Sequence, residues 1–114
     1  MASVLLVEDE VLIRMMITEM LEELGHSVVA EVGDLASALG CASSANFDIA
    51  ILDVSLGRDN SEPVAEVLQT RGIPFAFASG YASDGVPEEY RARHRLTKPF
   101  QPDQLERCIA QLLA

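Results

Sequence analysis

Val4-Leu5-Leu6-Val7 is an unbroken β-prone run, and it stops on three acids, Glu8-Asp9-Glu10. Four consecutive apolar residues without alternation read as a strand buried on both faces, the pattern of a parallel sheet covered by helices. Further along, Asp48-Ile49-Ala50-Ile51-Leu52-Asp53 repeats the design and again ends on an acid. Phe75-Ala76-Phe77-Ala78 forms another such run, entered from Pro74 and leading into Ser79-Gly80.

Helical stripes separate these runs. The first is predicted over residues 10–24, with Leu12, Met15, Met16, Met20 and Leu24 as its apolar stripe, the methionines in the core, and Gly25 as terminator. Residues 27–32 read as a further strand. Asp34 is placed to cap an alanine-rich helix over 35–42, facing inward through Leu35, Ala38 and Leu39. A loop holding Gly57 and Asn60 leads to a helix with Pro63 in its first turn and Gly72 past its end. Pro87-Glu88-Glu89-Tyr90 suggests one short helix in a polar segment, where Gly85 and Pro87 weaken helix formation, and a brief strand ends at Thr97. Pro102 opens a last helix through Leu113, with Leu105, Ile109, Leu112 and Leu113 inward.

Strict alternation of strand and helix predicts an α/β fold, a doubly wound parallel sheet with right-handed crossovers. Five strands in a small chain suit the flavodoxin-like (βα)5 arrangement with strand order 2-1-3-4-5. At 114 residues, one domain spanning 1–114 is expected. The formal charge of −10 argues against a nucleic-acid partner and against an anionic membrane surface. No apolar run approaches the roughly 20 residues of a membrane helix. Met1-Ala2-Ser3 lacks the features of a secretion signal, so a cytoplasmic location is expected. Cys41 and Cys108 lack metal or CxxC spacing and are expected to be buried reduced thiols, and His26 after Gly25 reads as a solvated loop residue.

Ligands of open parallel sheets bind beyond the carboxyl ends of the strands. Those ends carry Glu8 and Asp9, Asp53, Ser79, and Lys98, the one lysine in a chain whose other permanent cations are seven arginines. In the expected strand order they converge on one pocket. Clustered carboxylates are stable together only when a cation neutralises them, and hard oxygen ligands with open positions suit Mg²⁺. Asp53 then becomes a carboxylate nucleophile toward a phosphoryl group, with Lys98 and the Ser79 hydroxyl suited to that group's oxygens. Each residue taken singly is an ordinary cap, turn or surface group; their conjunction is what carries the reading.

That conjunction, running from VLLVEDE through ILDVSL and FASGY to TKPF, resembles the receiver domain of bacterial two-component response regulators. The resemblance implies Asp53 as phosphoacceptor and Asp9 as direct Mg²⁺ ligand, with Glu8 reaching the metal through water and the backbone carbonyl of Ser55 as a further ligand. It also implies Ser79 as switch hydroxyl, Lys98 as phosphate-binding lysine and a cis Lys98-Pro99 bond. Where typical receivers carry an aromatic switch residue, three positions before the lysine, this chain has Arg95. Phe77-Ala78-Ser79-Gly80-Tyr81 resembles a serine-bearing form of the FAT-GUY motif, a subfamily associated with general stress signalling, with Tyr81 as an alternative aromatic gate.

The implied partners are a histidine kinase or histidine phosphotransfer protein and an unidentified downstream protein. Arg91, Arg93 and Arg95 either face an acidic partner or form a solvated stripe. A non-enzymatic monomer signalling by contact is expected, with phosphorylation-dependent dimerisation left open; a phosphate sink or relay intermediate fits equally. The competing class is a Mg²⁺-dependent phosphatase working through an aspartyl phosphate. Such hydrolases usually carry the nucleophile after the first strand with a second acid two residues on, where this chain has Ser55. A nucleotide-binding module is disfavoured by the lack of a GxxxxGK[ST] or GxGxxG loop.

Overall fold

The computed structural model describes residues 2–79, 95–98 and 100–114, with the side chains of Ser79, Arg95 and Thr97 outside that description. In chain order the elements are β1 (Ser3–Val7), α1 (Val11–Glu23), β2 (Ser27–Val32), α2 (Leu35–Ser44), β3 (Ile49–Asp53), β4 (Ser55–Leu56), β5 (Asp59–Asn60), α3 (Glu62–Arg71), β6 (Phe75–Ser79), β7 (Arg95–Thr97) and α4 (Pro102–Leu113). Five strands form one sheet in the order β2-β1-β3-β6-β7, with every adjacent pair parallel. Numbered among themselves, these strands run 2-1-3-4-5, the flavodoxin-like order that the alternating sequence predicts. β4 and β5 pair separately as a two-residue antiparallel ladder within what the sequence suggests is plain loop.

The apolar runs lack alternation because both faces of the sheet are covered. Side chains still alternate between faces. Leu5, Val7, Ala50, Leu52, Phe75 and Phe77 pack in the core shared with α2 and α3. Val4, Leu6, Ile49, Ile51, Ala76 and Ala78 pack in the second core, against α1 and α4. The β6 sequence thus puts rings on one side and methyls on the other. Phe75 and Phe77 meet edge to face, with centroids 5.7 Å apart and planes at 88°.

Helix ends follow the predicted chemistry. Asp34 accepts the Ser37 amide at 2.9 Å, which caps α2 and holds its own carboxyl below the usual carboxylate range. Gly72, at φ +72°, closes α3 in a left-handed conformation that a residue with Cβ adopts at a cost. Arg71, in the last turn of α3, donates to the carbonyls of Ala42 and Ala45 at 2.5 and 3.1 Å, and so fastens α3 to the end of α2.

Four expectations need correction. In α1 the inward stripe is Ile13, Ile17, Met20, Leu21 and Leu24, whereas Leu12, Met15 and Met16 are exposed. The helix is apolar on more than one face, and the sheet selects the face about a quarter turn from the predicted one. Leu113 is exposed, and Cys108 instead joins Leu105, Ile109 and Leu112 on the buried face of that helix, where burial pushes its thiol up to about 11. Cys41 is a free thiol but only half-buried. His26 is buried rather than solvated: its Nδ1 accepts the Ala2 amide at 2.9 Å, and its Nε2 lies 3.2 Å from Glu106 Oε1. With Nδ1 as acceptor, the ring proton sits on Nε2 and donates to Glu106. His26 therefore joins the start of β1 to α4.

Candidate functional site

β1, β3 and β7 end on the same edge of the sheet, and their terminal side chains meet there. Carboxylate oxygens of Glu8, Asp9 and Asp53 lie within 4.8 Å of one another. Glu8 is 1% exposed and Asp53 9%. Lys98 reaches in from the end of β7, its Nζ 2.6 Å from Glu8 Oε1 and 3.4 Å from Asp53 Oδ1. The second Glu8 oxygen accepts the Glu10 amide at 3.1 Å. Asp9 Oδ2 accepts the amide of Gly57 at 3.0 Å. That amide is aimed by the β4–β5 turn, where Gly57 sits at φ +65°. The small ladder thus braces Asp9, a role that a loop glycine does not advertise in sequence.

Burial, followed by the hydrogen bond and charge of Glu8, pushes the Asp53 carboxyl up to about 7, against the opposing pull of Lys98. Burial acts on Lys98 to lower its pKa, but contact with Glu8 and the charges of Asp53 and Glu8 outweigh it, so the ammonium titrates above its ordinary range. Burial also works to raise Asp9, yet the Gly57 amide and hydrogen bonds with Asp53 and Glu8 leave it below the usual carboxylate range. Among the described residues one ammonium, Lys98, stands against Glu8 and Asp53, and it is Asp53 that holds its proton near neutral pH. The donor set is all hard oxygen, crowded and under-neutralised, which fits a divalent cation such as Mg²⁺.

Glu8, Asp9, Asp53 and Lys98 come together as their positions at strand ends predict. Ser55 is exposed at the start of β4, two residues past Asp53. The Ser79 backbone ends β6, whose Ala78 pairs with Asp53, while its hydroxyl lies outside the described atoms. Tyr81, Pro99, Arg91 and Arg93 lie outside the described residues, as does the side chain of Arg95. An apolar groove lined by Ile13, Met16, Ile17, Met20 and Phe100 runs up to Lys98. No described helix is long and apolar enough to cross a membrane.

A flavodoxin-like sheet with acids and an ammonium gathered past its strand ends defines a small α/β module equipped for anion and cation chemistry at one edge. Comparison with known proteins makes this specific: residues 4–110 match the response regulator receiver domain, and the chain belongs to that family of signalling proteins. Among solved structures, SdrG from Sphingomonas melonis Fr1 superposes with a TM-score of 0.89 at 43% identity, over 100% of this chain and 98% of that one. The BeF3-activated conformation of SdrG from Pseudomonas melonis Fr1 gives 0.83 at 44% identity, over 98% and 96%. The transcriptional regulatory protein PdtaR of Mycobacterium tuberculosis is 35% identical over 106 residues, 90% of this chain. The chain spans about half the length of that curated relative, 52%.

Proposed function

We propose that residues 1–114 form a receiver that accepts a phosphoryl group on Asp53 from a histidine kinase or histidine phosphotransfer protein and signals by protein–protein contact. The observation that carries this is the Lys98 ammonium lying between buried Glu8 and Asp53 inside a three-carboxylate cluster. An Asp53 oxygen attacks phosphorus, the P–N bond to the donor imidazole breaks, and its electron pair stays on the ring nitrogen, which takes a proton. Lys98 is placed to meet an equatorial phosphoryl oxygen once it leaves Glu8 or shares itself between the two. Glu8, Asp9, Asp53 and the Ser55 carbonyl would hold Mg²⁺, which when bound offsets the charge of the incoming phosphoryl group. Ser79 serves as the switch hydroxyl, and Tyr81 as the aromatic gate of a FAT-GUY-type receiver. The apolar groove beside Lys98 is the face on which a donor protein would dock to reach Asp53. The module assists its own phosphorylation and dephosphorylation without turning over an external substrate. A cytoplasmic setting and use as contact regulator, relay or sink follow from this reading.

The test is intact-mass analysis after exposure to acetyl phosphate and Mg²⁺. One phosphoryl adduct is expected in the wild type, absent with EDTA and absent in Asp53→Asn. An adduct that persists in Asp53→Asn overturns the assignment. Sustained p-nitrophenyl phosphate turnover lost in Asp53→Asn would instead establish a phosphatase.

A further inference from the structure

The two acids that follow β1 flank a single peptide unit: Glu8 carries one carboxylate and Asp9 the next, and the plane between their Cα atoms sets the direction of each. The Glu8 amide continues the β1–β2 ladder, donating to Val32 O at 2.9 Å. The Glu8 carbonyl has passed the last ladder rung, and its partner is Arg14 Nη1 at 3.0 Å, reaching back from the first turn of α1. Arg14 Nε points toward Glu31 Oε1 at 3.7 Å. The guanidinium therefore spans from the carbonyl to β2, a reach in two directions that a lysine ammonium does not reproduce. The Glu31 contact is long and its side chain is 41% exposed, so by itself it contributes little.

Gly33, just past β2, makes the space. A Cβ there would stand 2.5 Å from Arg14 Nη1, 3.2 Å from Glu8 O and 3.5 Å from Asp9 Cα. Its φ is not in the left-handed region, which among the described glycines holds for Gly25, Gly57 and Gly72. Room, and not backbone freedom, is what this glycine supplies. We propose that Arg14 is a positioning residue, seated through the gap at Gly33, that orients the Glu8–Asp9 peptide and thereby sets the divalent-cation affinity of the site. This rests on Glu8 and Asp9 being the cation ligands.

The experiment measures Mg²⁺ affinity of the full chain by calorimetry and amide-shift titration. It compares wild type, Arg14→Ala, Arg14→Lys, Gly33→Ala and the Arg14→Ala/Gly33→Ala double variant. The metal-free Glu8 carbonyl ¹³C shift is recorded for each. Loss of an outer partner of a metal ligand typically weakens binding about 10–100-fold, and that range is expected for Arg14→Ala and Gly33→Ala, with Arg14→Lys between them and wild type. Because a Cβ at Gly33 meets Arg14 Nη1 first, at 2.5 Å against 3.2 Å to Glu8 O, most of its effect passes through Arg14, and the double variant should lose clearly less than the product of the two single losses. The Glu8 carbonyl shift should move in every variant without metal. Mg²⁺ affinity within about twofold of wild type in both Arg14→Ala and Gly33→Ala, whatever happens to melting temperature, overturns the proposal, as does full multiplication of those two losses in the double variant. Should Arg14→Ala fail to fold, Arg14→Lys and Gly33→Ala carry the same comparison. A wild type that binds no Mg²⁺ overturns the cation-site reading and this proposal together; normal wild-type binding with unaffected variants overturns this proposal alone.

Discussion

At the scale of single residues, Asp53 sets the acid–base behaviour of the site. Its carboxyl is held up at about 7, against 3.8 for the free group, first by burial and then by Glu8. The native state then binds this proton more tightly than the unfolded chain does. Its contribution to stability is complete below the unfolded value and is lost as pH rises through about 7. Asp9 has the opposite sign: its depressed carboxyl adds stability above 3.8, lost as pH falls through its lower native value. In EDTA, the urea midpoint of the wild type is expected to fall between about pH 5 and about pH 8, while Asp53→Asn shows a flatter profile. Equal slopes for the two proteins contradict the assignment. Asp53, Asp9, Glu8 and Lys98 were all legible in the sequence because their positions needed only strand ends and strand order. Arg14 and Gly57 were not, since each acts through a backbone group whose direction depends on turns that no residue type announces.

At the scale of elements, α1 separates what pattern can and cannot decide. Its apolar residues fall on two neighbouring stripes, one through Leu12 and Met16, the other through Ile13, Ile17 and Leu21. Periodicity establishes a helix from either; only the sheet beneath chooses which is buried. Leu12 and Met16 are 75% and 57% exposed, while Leu21 is fully buried. Leu12→Ser and Met16→Gln should each change unfolding free energy by less than about 0.5 kcal/mol, whereas Leu21→Ala should cost about 2–5 kcal/mol. Chemical denaturation of the three variants checks this, and a large loss at Leu12 would reassign the helix face. β2, β6 and α4 were legible nearly residue for residue, for apolar runs and a proline-led start mark them sharply. The buried state of His26 was hidden because it depends on Glu106 and Ala2, remote in sequence and brought close by packing alone.

For the whole molecule, 18 acids against 8 basic residues sit on a body with a radius of gyration of 12.4 Å. At about 0.01 M ionic strength the screening length of about 30 Å spans the entire domain, and at about 0.15 M it contracts to about 8 Å. Self-repulsion of the compact state is then largely confined to near neighbours. Thermal midpoints in NaCl should rise over this range, and a falling midpoint would mean that attractive pairs dominate the surface. Strand order was readable from alternation because right-handed crossovers leave few alternatives.

Along β3 the side chains of Ile51 and Leu52 are consecutive in the chain yet face different interiors, one shared with α1 and α4, the other with α2 and α3. The backbone layer is a bulkhead between two sealed compartments. Mutational drift in the compartment behind α2 and α3 can proceed without disturbing the packing beneath the groove at Lys98.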